Sequence, residues 1–390
     1  MIDRTRTVLA LGTAQTLAWA SSYYLPAMLA APIARDLGLD RPTVFAVFSM
    51  ALMVSALIGP LAGRAIDRRG GRPVLMLSNA LFIVGLLGLA AAKGLTSLAL
   101  AWAVLGVAMG CGLYDAAFAA LVRLYGRDSR TAITGITLIA GFASTVGWPL
   151  TTLLEAQLGW RGACVAWAAL HLLLALPLNA TLPRVAAMAA AVALPVVGAA
   201  AAPAPPERAP ARFTAPLLAV LFAMMGFVST SMAAHLPGLL QACGATLAVA
   251  VLAGSLMGPA QVAARLFEFG VLRRVSPLLS ARLAALAHPV GALFLLALGA
   301  PAALMFALLH GAGNGLLTIV RGTLPLALFG AAGYGARQGW IALPGRVLGG
   351  LSPWLFGLAL ERLGARSLWL SGGLCLTAFV CLMLLRLPRD

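Results

Sequence analysis

The chain has 390 residues, of which 62% are hydrophobic and only 10% are charged, and its formal net charge is +16. This composition excludes a soluble globular domain, in which about a quarter of the residues are charged. In a soluble protein the positive charge would favour nucleic acid as a partner. Here the cations lie in short loops between apolar runs, where they orient a membrane protein. We therefore expect a lipid bilayer as partner and no nucleic acid.

Twelve apolar runs follow one another along the chain. One crossing of a bilayer needs about 20 apolar residues, and the first run, Thr7–Ile33, is too long for a cleaved signal peptide. The sequence thus predicts an all-α membrane protein with twelve spans. The predicted spans are Thr7–Ile33, Val44–Ala65, Pro73–Ala92, Leu98–Val122, Ala132–Leu158, Ala163–Leu182, Ala215–Cys243, Leu247–Phe269, Leu278–Leu298, Ala302–Phe329, Gln338–Leu360 and Leu368–Leu385.

A proline-rich stretch divides the spans into two sets of six. It covers residues 183–213, ends in the sequence APAPPERAPAR and has no helical periodicity. We expect an N-terminal bundle over residues 1–182, a cytoplasmic linker over 183–213 and a C-terminal bundle over 214–390. With twelve spans, most arginines fall in loops on one side, so the positive-inside rule places both termini in the cytoplasm.

The segment between the second and third spans reads GPLAGRAIDRRGGRPVL. It resembles the signature loop of the major facilitator superfamily of secondary transporters; the rival interpretation is an ordinary positive turn between membrane helices. Gly71 departs from the pattern, because the family usually has a cation there. The resemblance implies that the loop braces one state of the transport cycle. The residues to which it assigns coupling or gating are Gly59, Gly63, Asp67, Arg68, Gly70 and Arg72.

The two halves of the chain also resemble each other. Residues 110–113 are similar to residues 313–316, and Pro149 precedes Gly159 much as Pro353 precedes Gly364. Such offsets near 200 residues indicate two pseudo-symmetric six-helix bundles, the arrangement of this superfamily. The substrate site is then expected at the midplane between the bundles.

Ionisable side chains inside a span are costly unless they face a wet cavity or a partner. Arg265 and Glu268 lie in the eighth predicted span, Arg321 in the tenth, Arg346 in the eleventh and Asp115 in the fourth. Three arginines and two carboxylates make the expected cavity cationic. A guanidinium pairs well with a carboxylate, so an anionic substrate is favoured.

A looser resemblance connects this chain with the oxalate/formate and monocarboxylate transporter group, which carries a substrate-binding arginine in the eighth helix. Arg265 and Arg346 are similar to the cationic positions of that group. Gln261 stands where monocarboxylate transporters have an acid, which argues against lactate-type proton coupling. Two repeat alignments place Arg265 differently: at the cytoplasmic rim if Gly258 matches Gly59, or about two turns deeper if Gly270 does.

Other candidate residues leave alternatives open. Asp115 pairs with Arg321 across a gate, couples a proton, or pairs within its own half; Glu268 is a partner for Arg265. His235 lines the pathway or joins two helices by a hydrogen bond. Tyr24 belongs to an aromatic wall or to an interfacial belt, together with its aromatic neighbours. The substrate-binding candidates are Arg346, Arg265, Arg321, Gln261, Tyr24, His235 and Asn314.

The four histidines show no metal-binding spacing, and no nucleotide-binding loop or nucleophile motif occurs, so we expect neither an enzyme, nor a metal site, nor a cofactor. The sequence favours a monomeric secondary transporter of a small organic anion in a bacterial inner membrane, coupled to a proton or to an exchanged anion. The alternatives are a proton-driven drug exporter, whose fifth-helix pattern is similar to residues 141–149, and a membrane scaffold.

Overall fold

The computed structural model describes residues 4–125, 129–183, 213–272, 276–329 and 334–385. Within these ranges the chain forms fifteen α-helices. The predicted linker, apart from its first and last residues, lies outside the described residues. The helices are α1 (Arg4–Ala20), α2 (Leu25–Leu37), α3 (Arg41–Arg69), α4 (Gly71–Ala90), α5 (Leu95–Gly112), α6 (Tyr114–Tyr125), α7 (Ser129–Ala140), α8 (Ala143–Leu170), α9 (Leu176–Ala180), α10 (Thr214–Ala242), α11 (Leu247–Gly270), α12 (Pro277–Leu298), α13 (Ala303–Phe329), α14 (Tyr334–Leu363) and α15 (Ser367–Leu384).

These helices make up the twelve predicted spans. Nine stretches of the described residues are long and apolar enough to cross a membrane. Two of them, Thr131–Ala180 and Ile341–Leu384, each contain two spans, so the nine stretches account for eleven. The twelfth is the first span, which α1 and α2 share. The all-α fold of two six-helix bundles is therefore confirmed.

Corresponding helices of the two halves begin with the same kind of N-cap. The Asp40 carboxylate accepts a hydrogen bond of 2.9 Å from the backbone N–H of Thr43 at the start of α3. The Thr246 hydroxyl accepts one of 3.3 Å from Val249 N–H at the start of α11. Such a cap satisfies a backbone donor that the first helical turn leaves free.

Three spans are broken where the sequence predicted continuous helices. The first is interrupted between Ala20 and Leu25, and the fourth at Leu113, whose backbone is extended. In the fifth span Gly141 and Phe142 separate α7 from α8. Each break lies near the middle of its span, so it changes the direction of side chains that face the bundle interior.

The signature segment is more helical than predicted. Helix α3 continues to Arg69, so Asp67 and Arg68 lie on its last turn, and Gly70 alone makes the turn with φ of 86°. A Cβ on Gly71 would lie 2.2 Å from the Cβ of Ala120. The glycine that replaces the family's usual cation thus lets α4 pack directly against α6.

The turns between spans lie at two opposite ends of the molecule, which we call the Gly38 end and the Gly70 end. The Gly38 end carries the turns at Gly38, Gly244, Gly299 and Gly364, and the Gly70 end carries the turn at Gly70 and both described chain ends. Successive spans run between these ends.

Paired glycines fix the depth at which helices of each half pack. A Cβ on Gly106 would lie 2.6 Å from the Ala51 carbonyl oxygen, and a Cβ on Gly110 would lie 2.9 Å from that of Ser55, so α5 lies directly on α3. In the second half Gly311 and Gly315 approach the carbonyls of α11 in the same way, at 2.9 and 2.5 Å. In packing, Gly110 therefore corresponds to Gly315. The sequence repeat aligned Gly110 with Gly313, so the two registers differ by two residues.

Candidate functional site

The two bundles contact each other on the Gly38 side of the molecule. A Cβ on Gly254 of α11 would lie 1.8 Å from the Trp148 ring, so this ring fills the groove of the opposite bundle. Nearby, the Thr145 hydroxyl donates to the Ser255 carbonyl at 2.6 Å. Between α3 and α14, the backbone N–H of Trp354 donates to Ser49 Oγ at 3.2 Å.

Toward the Gly70 end, the same helix α3 presents an uncovered glycine face. A Cβ on Gly59 or on Gly63 would have no heavy atom within 4 Å. Asp67 and Arg68 are exposed, and Arg72 is half-buried. These expected gating residues therefore lie where α3 has room for a further contact.

An aromatic cluster lies at the broken first span, between the two ends. The Trp19 ring centroid is 5.0 Å from that of Tyr23 and 4.9 Å from that of Tyr114, and Tyr24 lies 5.8 Å from Trp148. The Tyr23 hydroxyl donates to Thr230 Oγ1 at 3.0 Å and so joins the bundles. The rings therefore pack around the interface between the bundles.

Arg265 lies beside this cluster. Its Nη1 donates to the Thr137 carbonyl at 3.2 Å across the bundle interface, and its Nη2 donates to Gln261 Oε1 and to Thr318 Oγ1, both at 3.3 Å. The guanidinium is within electrostatic reach of Tyr24 and Tyr114. Arg265 therefore lies at the bundle interface, beside the broken first span.

The partners of Arg265 are all neutral. No carboxylate of the described residues forms an ion pair with it, and its buried Nε has no hydrogen-bond partner among them. A cation in a low-dielectric site is costly without a counter-charge. The site thus offers a positive charge and a free donor to a ligand.

Arg321 and Arg346 approach the interface from α13 and α14. A Cβ on Gly226 would lie 3.3 Å from Arg321 Nη2 and 3.5 Å from the Gly345 carbonyl, so Arg321 extends over α10 toward α14. Arg321 is also within electrostatic reach of Tyr23. Arg346 is exposed and lies one helical turn before Gly350. A Cβ on Gly350 would lie 2.7 Å from the Met53 sulfur of α3, so this face of α14 packs against the N-terminal half.

The remaining candidates divide into two groups. Gln261 and Asn314 belong to the polar surroundings of Arg265: Gln261 accepts its hydrogen bond, and Asn314 Oδ1 accepts one of 2.7 Å from Ser229. His235 lies elsewhere: it is buried and its Nε2 bonds to the Pro353 carbonyl at 2.6 Å, which is the interhelical hydrogen bond that the sequence left open. Asp115 is exposed and Glu268 is buried.

Sequence reasoning missed several residues of this site. Tyr114 becomes a neighbour of Trp19 only because α6 starts after the break at Leu113. Thr318 could have been found, since it follows Asn314 by one helical turn and extends a polar stripe along α13. Among the described residues, no group of three or more histidine, cysteine or acidic side chains could hold a metal ion.

Comparison with known proteins identifies the family. The model of the Major Facilitator Superfamily matches residues 11–343 of this chain. The chain belongs to the Major Facilitator Superfamily. As in that family, it is a multi-pass membrane protein, and its function is secondary transport of a small molecule.

Solved structures of this superfamily share the fold. The chain is similar to the nucleoside transporter NupG, with a TM-score of 0.77, 13% identity and coverage of 97% of this chain and 99% of the other. It is also similar to a D-xylose-proton symporter, with a TM-score of 0.75, 14% identity and coverage of 98% and 97%. A bacterial homologue of the lysosomal transporter Spinster, inward-facing and occupied, matches with a TM-score of 0.67, 17% identity and coverage of 97% and 94%.

One curated relative comes from Thermoproteus tenax. It is described as an uncharacterized 38 kDa protein in a 23S RNA operon and is 35% identical over 154 residues. The match covers 39% of this chain and 40% of the relative, so the chain aligns with about two fifths of the relative's length.

Proposed function

We propose that this member of the superfamily transports a small organic anion, a carboxylate in particular, by alternating access. The observation that carries this proposal is Arg265, a half-buried cation at the bundle interface whose described partners are all neutral. A bound carboxylate would supply the missing counter-charge and accept from the free Nε. Arg321 and Arg346 add positive charge to the same interface.

The aromatic cluster supports the position of the site. Tyr23 and Tyr24 lie at the break in the first span, and both side chains are half-buried and pack edge to face against each other. Rings of this kind supply large apolar area with a polar edge. We therefore infer that a carboxylate bound at Arg265 would contact Tyr24 or Tyr114.

We propose that the described conformation is open at the Gly70 end and that this end faces the cytoplasm. Contacts through Trp148 and Ser49 close the Gly38 side, whereas Gly59 and Gly63 are uncovered. The arginine-rich loops favour the same orientation, with residues 1–182 and 214–390 as the two moving halves and residues 183–213 as a cytoplasmic linker. A bacterial inner membrane and a monomer are part of the same proposal.

The coupling remains a choice between a proton and an exchanged anion. The similarity to the oxalate/formate and monocarboxylate group rests on Arg265 and Arg346, and the neutral Gln261 next to Arg265 argues against the acid-based coupling of monocarboxylate transporters. Asp115 is an exposed carboxylate on α6, a lining helix in this proposal, and is thus available to a coupling cation or to a gate.

Thermal stability of the purified protein in detergent tests the anion proposal. We would use oxalate, malonate, isophthalate, glucose, uridine and a lipophilic cationic dye. A ligand at 100 times its dissociation constant adds about 2.7 kcal/mol of stability. We expect at least one carboxylate to raise the melting temperature of the wild type and to leave that of Arg265→Gln unchanged.

Arg362→Gln is the matched control, because Arg362 is an exposed arginine at the Gly38 end. This variant should retain the full carboxylate effect. Stabilisation by the cationic dye alone would contradict the proposal and favour the drug exporter. Equal carboxylate effects in the wild type and in Arg265→Gln would show that the anion binds elsewhere.

A further inference from the structure

A second polar system lies inside the C-terminal bundle, apart from the arginines. His288 Nδ1 of α12 lies 3.0 Å from His310 Nδ1 of α13, and His288 Nε2 lies 2.9 Å from Ser371 Oγ of α15. All three side chains are buried. Ser371 Oγ is also 3.3 Å from the Leu368 carbonyl, which can accept its hydrogen. The chain of hydrogen bonds joins three helices.

The facing Nδ1 atoms restrict the protonation of the pair. With both rings neutral, only one Nδ1 carries a hydrogen. In one arrangement His310 donates to His288, His288 Nε2–H donates to Ser371, and Ser371 donates to the Leu368 carbonyl. His310 Nε2 is then a lone pair. In the reverse arrangement His288 Nδ1–H donates to His310 Nδ1, the Ser371 hydroxyl donates to His288 Nε2, and His310 Nε2 carries the hydrogen.

His310 Nε2 lies at the open end of this chain. It is buried and has no hydrogen-bond partner among the described residues. His310 also lines a small cavity between α10, α12, α13 and α15, whose other polar lining residues are His288, Ser229 and Asn314. The cavity has a volume of about 20 Å³, which is enough for one water molecule with several polar partners.

A polar stripe on α13 connects this cavity with Arg265. His310, Asn314 and Thr318 follow one another at intervals of one helical turn. The Thr318 hydroxyl donates to the Asn314 carbonyl at 3.0 Å and accepts from Arg265 Nη2 at 3.3 Å. Asn314 lines the cavity, and its Oδ1 accepts a hydrogen bond from Ser229. The histidine pair and the proposed anion site are therefore two ends of one polar path.

We propose that the His288–His310 pair is a proton-binding site of this transporter. One proton, delivered through the cavity, forms an N–H bond at His310 Nε2, and the positive charge is shared through the Nδ1–H–Nδ1 hydrogen bond. This inference rests on the proposed transport of an anion, because the anion supplies the coupling. It assigns the proton to two neutral bases in the C-terminal bundle and not to Asp115 or Glu268.

Charge explains the coupling. Without an anion, Arg265 disfavours a further positive charge along the stripe. An anion at Arg265 offsets this repulsion, so anion and proton each strengthen binding of the other by the same factor. Two other described groups line the cavity beside the pair: the titratable Cys375 of α15 and the neutral Ser229 of α10. On α12 itself, Arg282 precedes His288 by six residues.

The first test uses the proton itself as the probe. Ring-¹⁵N resonances of histidine-labelled full-length protein in lipid nanodiscs are followed from about pH 8 to about pH 4, the range around the ordinary histidine pKa. His288→Gln and His310→Gln assign the signals. We expect the pair to gain one proton, at higher pH in isophthalate than without it. A pair that stays neutral throughout, with and without isophthalate, would overturn the proposal.

The second test uses proteoliposomes and labelled isophthalate. We expect His310→Gln to reduce uptake driven by a pH gradient at least tenfold and to preserve counterflow exchange at zero gradient. Cys375→Ala is the matched control, since it removes the other titratable group of the cavity and leaves both rings; it should transport like the wild type. Equal loss of both activities in His310→Gln would show a structural role and overturn the proposal.

The two proposals fail in different ways. If isophthalate neither stabilises nor crosses with the wild-type protein, the anion proposal fails for this probe, and the titration of the resonances without ligand still decides whether the pair binds a proton. If isophthalate is transported but the pair stays neutral, the anion site stands and the histidine site is refuted.

Discussion

The contact of Gly254 with Trp148 between the two bundles allows a quantitative prediction. In Gly254→Ala the added methyl group would lie 1.8 and 1.9 Å from two ring carbons of Trp148. An ordinary contact is about 3.5–4.0 Å, so the ring or its helix must move by roughly 2 Å. The ring is fully buried, and its Nε1 donates to the Tyr24 carbonyl at 3.1 Å, so it has no free space to take up this shift.

Overpacking of this kind costs about 1–3 kcal/mol. The cost falls on the state in which the Gly38 side is closed, because there the ring is inserted against α11. An equilibrium between two states then shifts by about 5- to 150-fold toward the other state. We therefore expect Gly254→Ala to populate a conformation in which the Gly70 end is closed.

Spin-label distances measure this shift. Arg69→Cys on α3 and Leu279→Cys on α12 place labels at exposed positions near the Gly70 end of each half. Of the five free cysteines, four are buried and Cys243 is partly exposed, so the labels are introduced in a Cys243→Ser background. In lipid nanodiscs Gly254→Ala should gain a shorter-distance population that the wild type lacks.

Gly373→Ala is the control, because a Cβ there would have no atom within 4 Å. It should give the wild-type distance distribution. If Gly254→Ala gives the same distribution as Gly373→Ala and an unchanged melting temperature, the Trp148 contact does not limit the equilibrium and the reasoning is refuted.

Two further predictions concern the N-terminal half. Hydrogen bonds from the side chain and backbone of Thr43 lower the pKa of Asp40, so this cap stabilises at neutral pH and is lost as the pH falls through that lowered pKa. Asp40→Ala should therefore melt below the wild type at pH 7 with a difference that disappears in acid, whereas a constant difference would contradict the capping role. Gly71→Ala should lose about 1–3 kcal/mol of stability by chemical denaturation, because its Cβ would lie 2.2 Å from α6; Gly63→Ala, with open space, should not.

The transmembrane part of the fold could be predicted because it depends on local composition. Twelve apolar runs, bounded by charges, glycines and prolines, correspond to twelve spans, and the signature segment identified the family. The breaks at Ala20 and Leu113 could not be predicted in the same way. Residues 21–24 read SSYY and Leu113 stands between Gly112 and Tyr114, a pattern that does not by itself end a membrane helix. Carbonyls beside the breaks accept hydrogen bonds from other helices: that of Tyr24 from Trp148, and that of Gly112 from Gln15.

The candidate site was predictable by residue type and not by geometry. Arg265, Gln261 and Asn314 were found because polar side chains in apolar spans are rare. Their common surroundings follow from Gly315, which brings α13 within contact of the Gln261 backbone. His235 was an equally good candidate by composition, yet its helix turns it toward the Pro353 carbonyl.

The sequence by itself determined the number of spans, the family and the excess of positive charge within the membrane, since each is a sum over local residues. Only the tertiary structure decided which polar groups share one space. It places Arg265 beside Tyr24 and Tyr114, and it joins His288 to His310 across two helices. The physical reason is that contacts between helices depend on their depth and rotation, which close-packed glycines set at positions far apart in the chain.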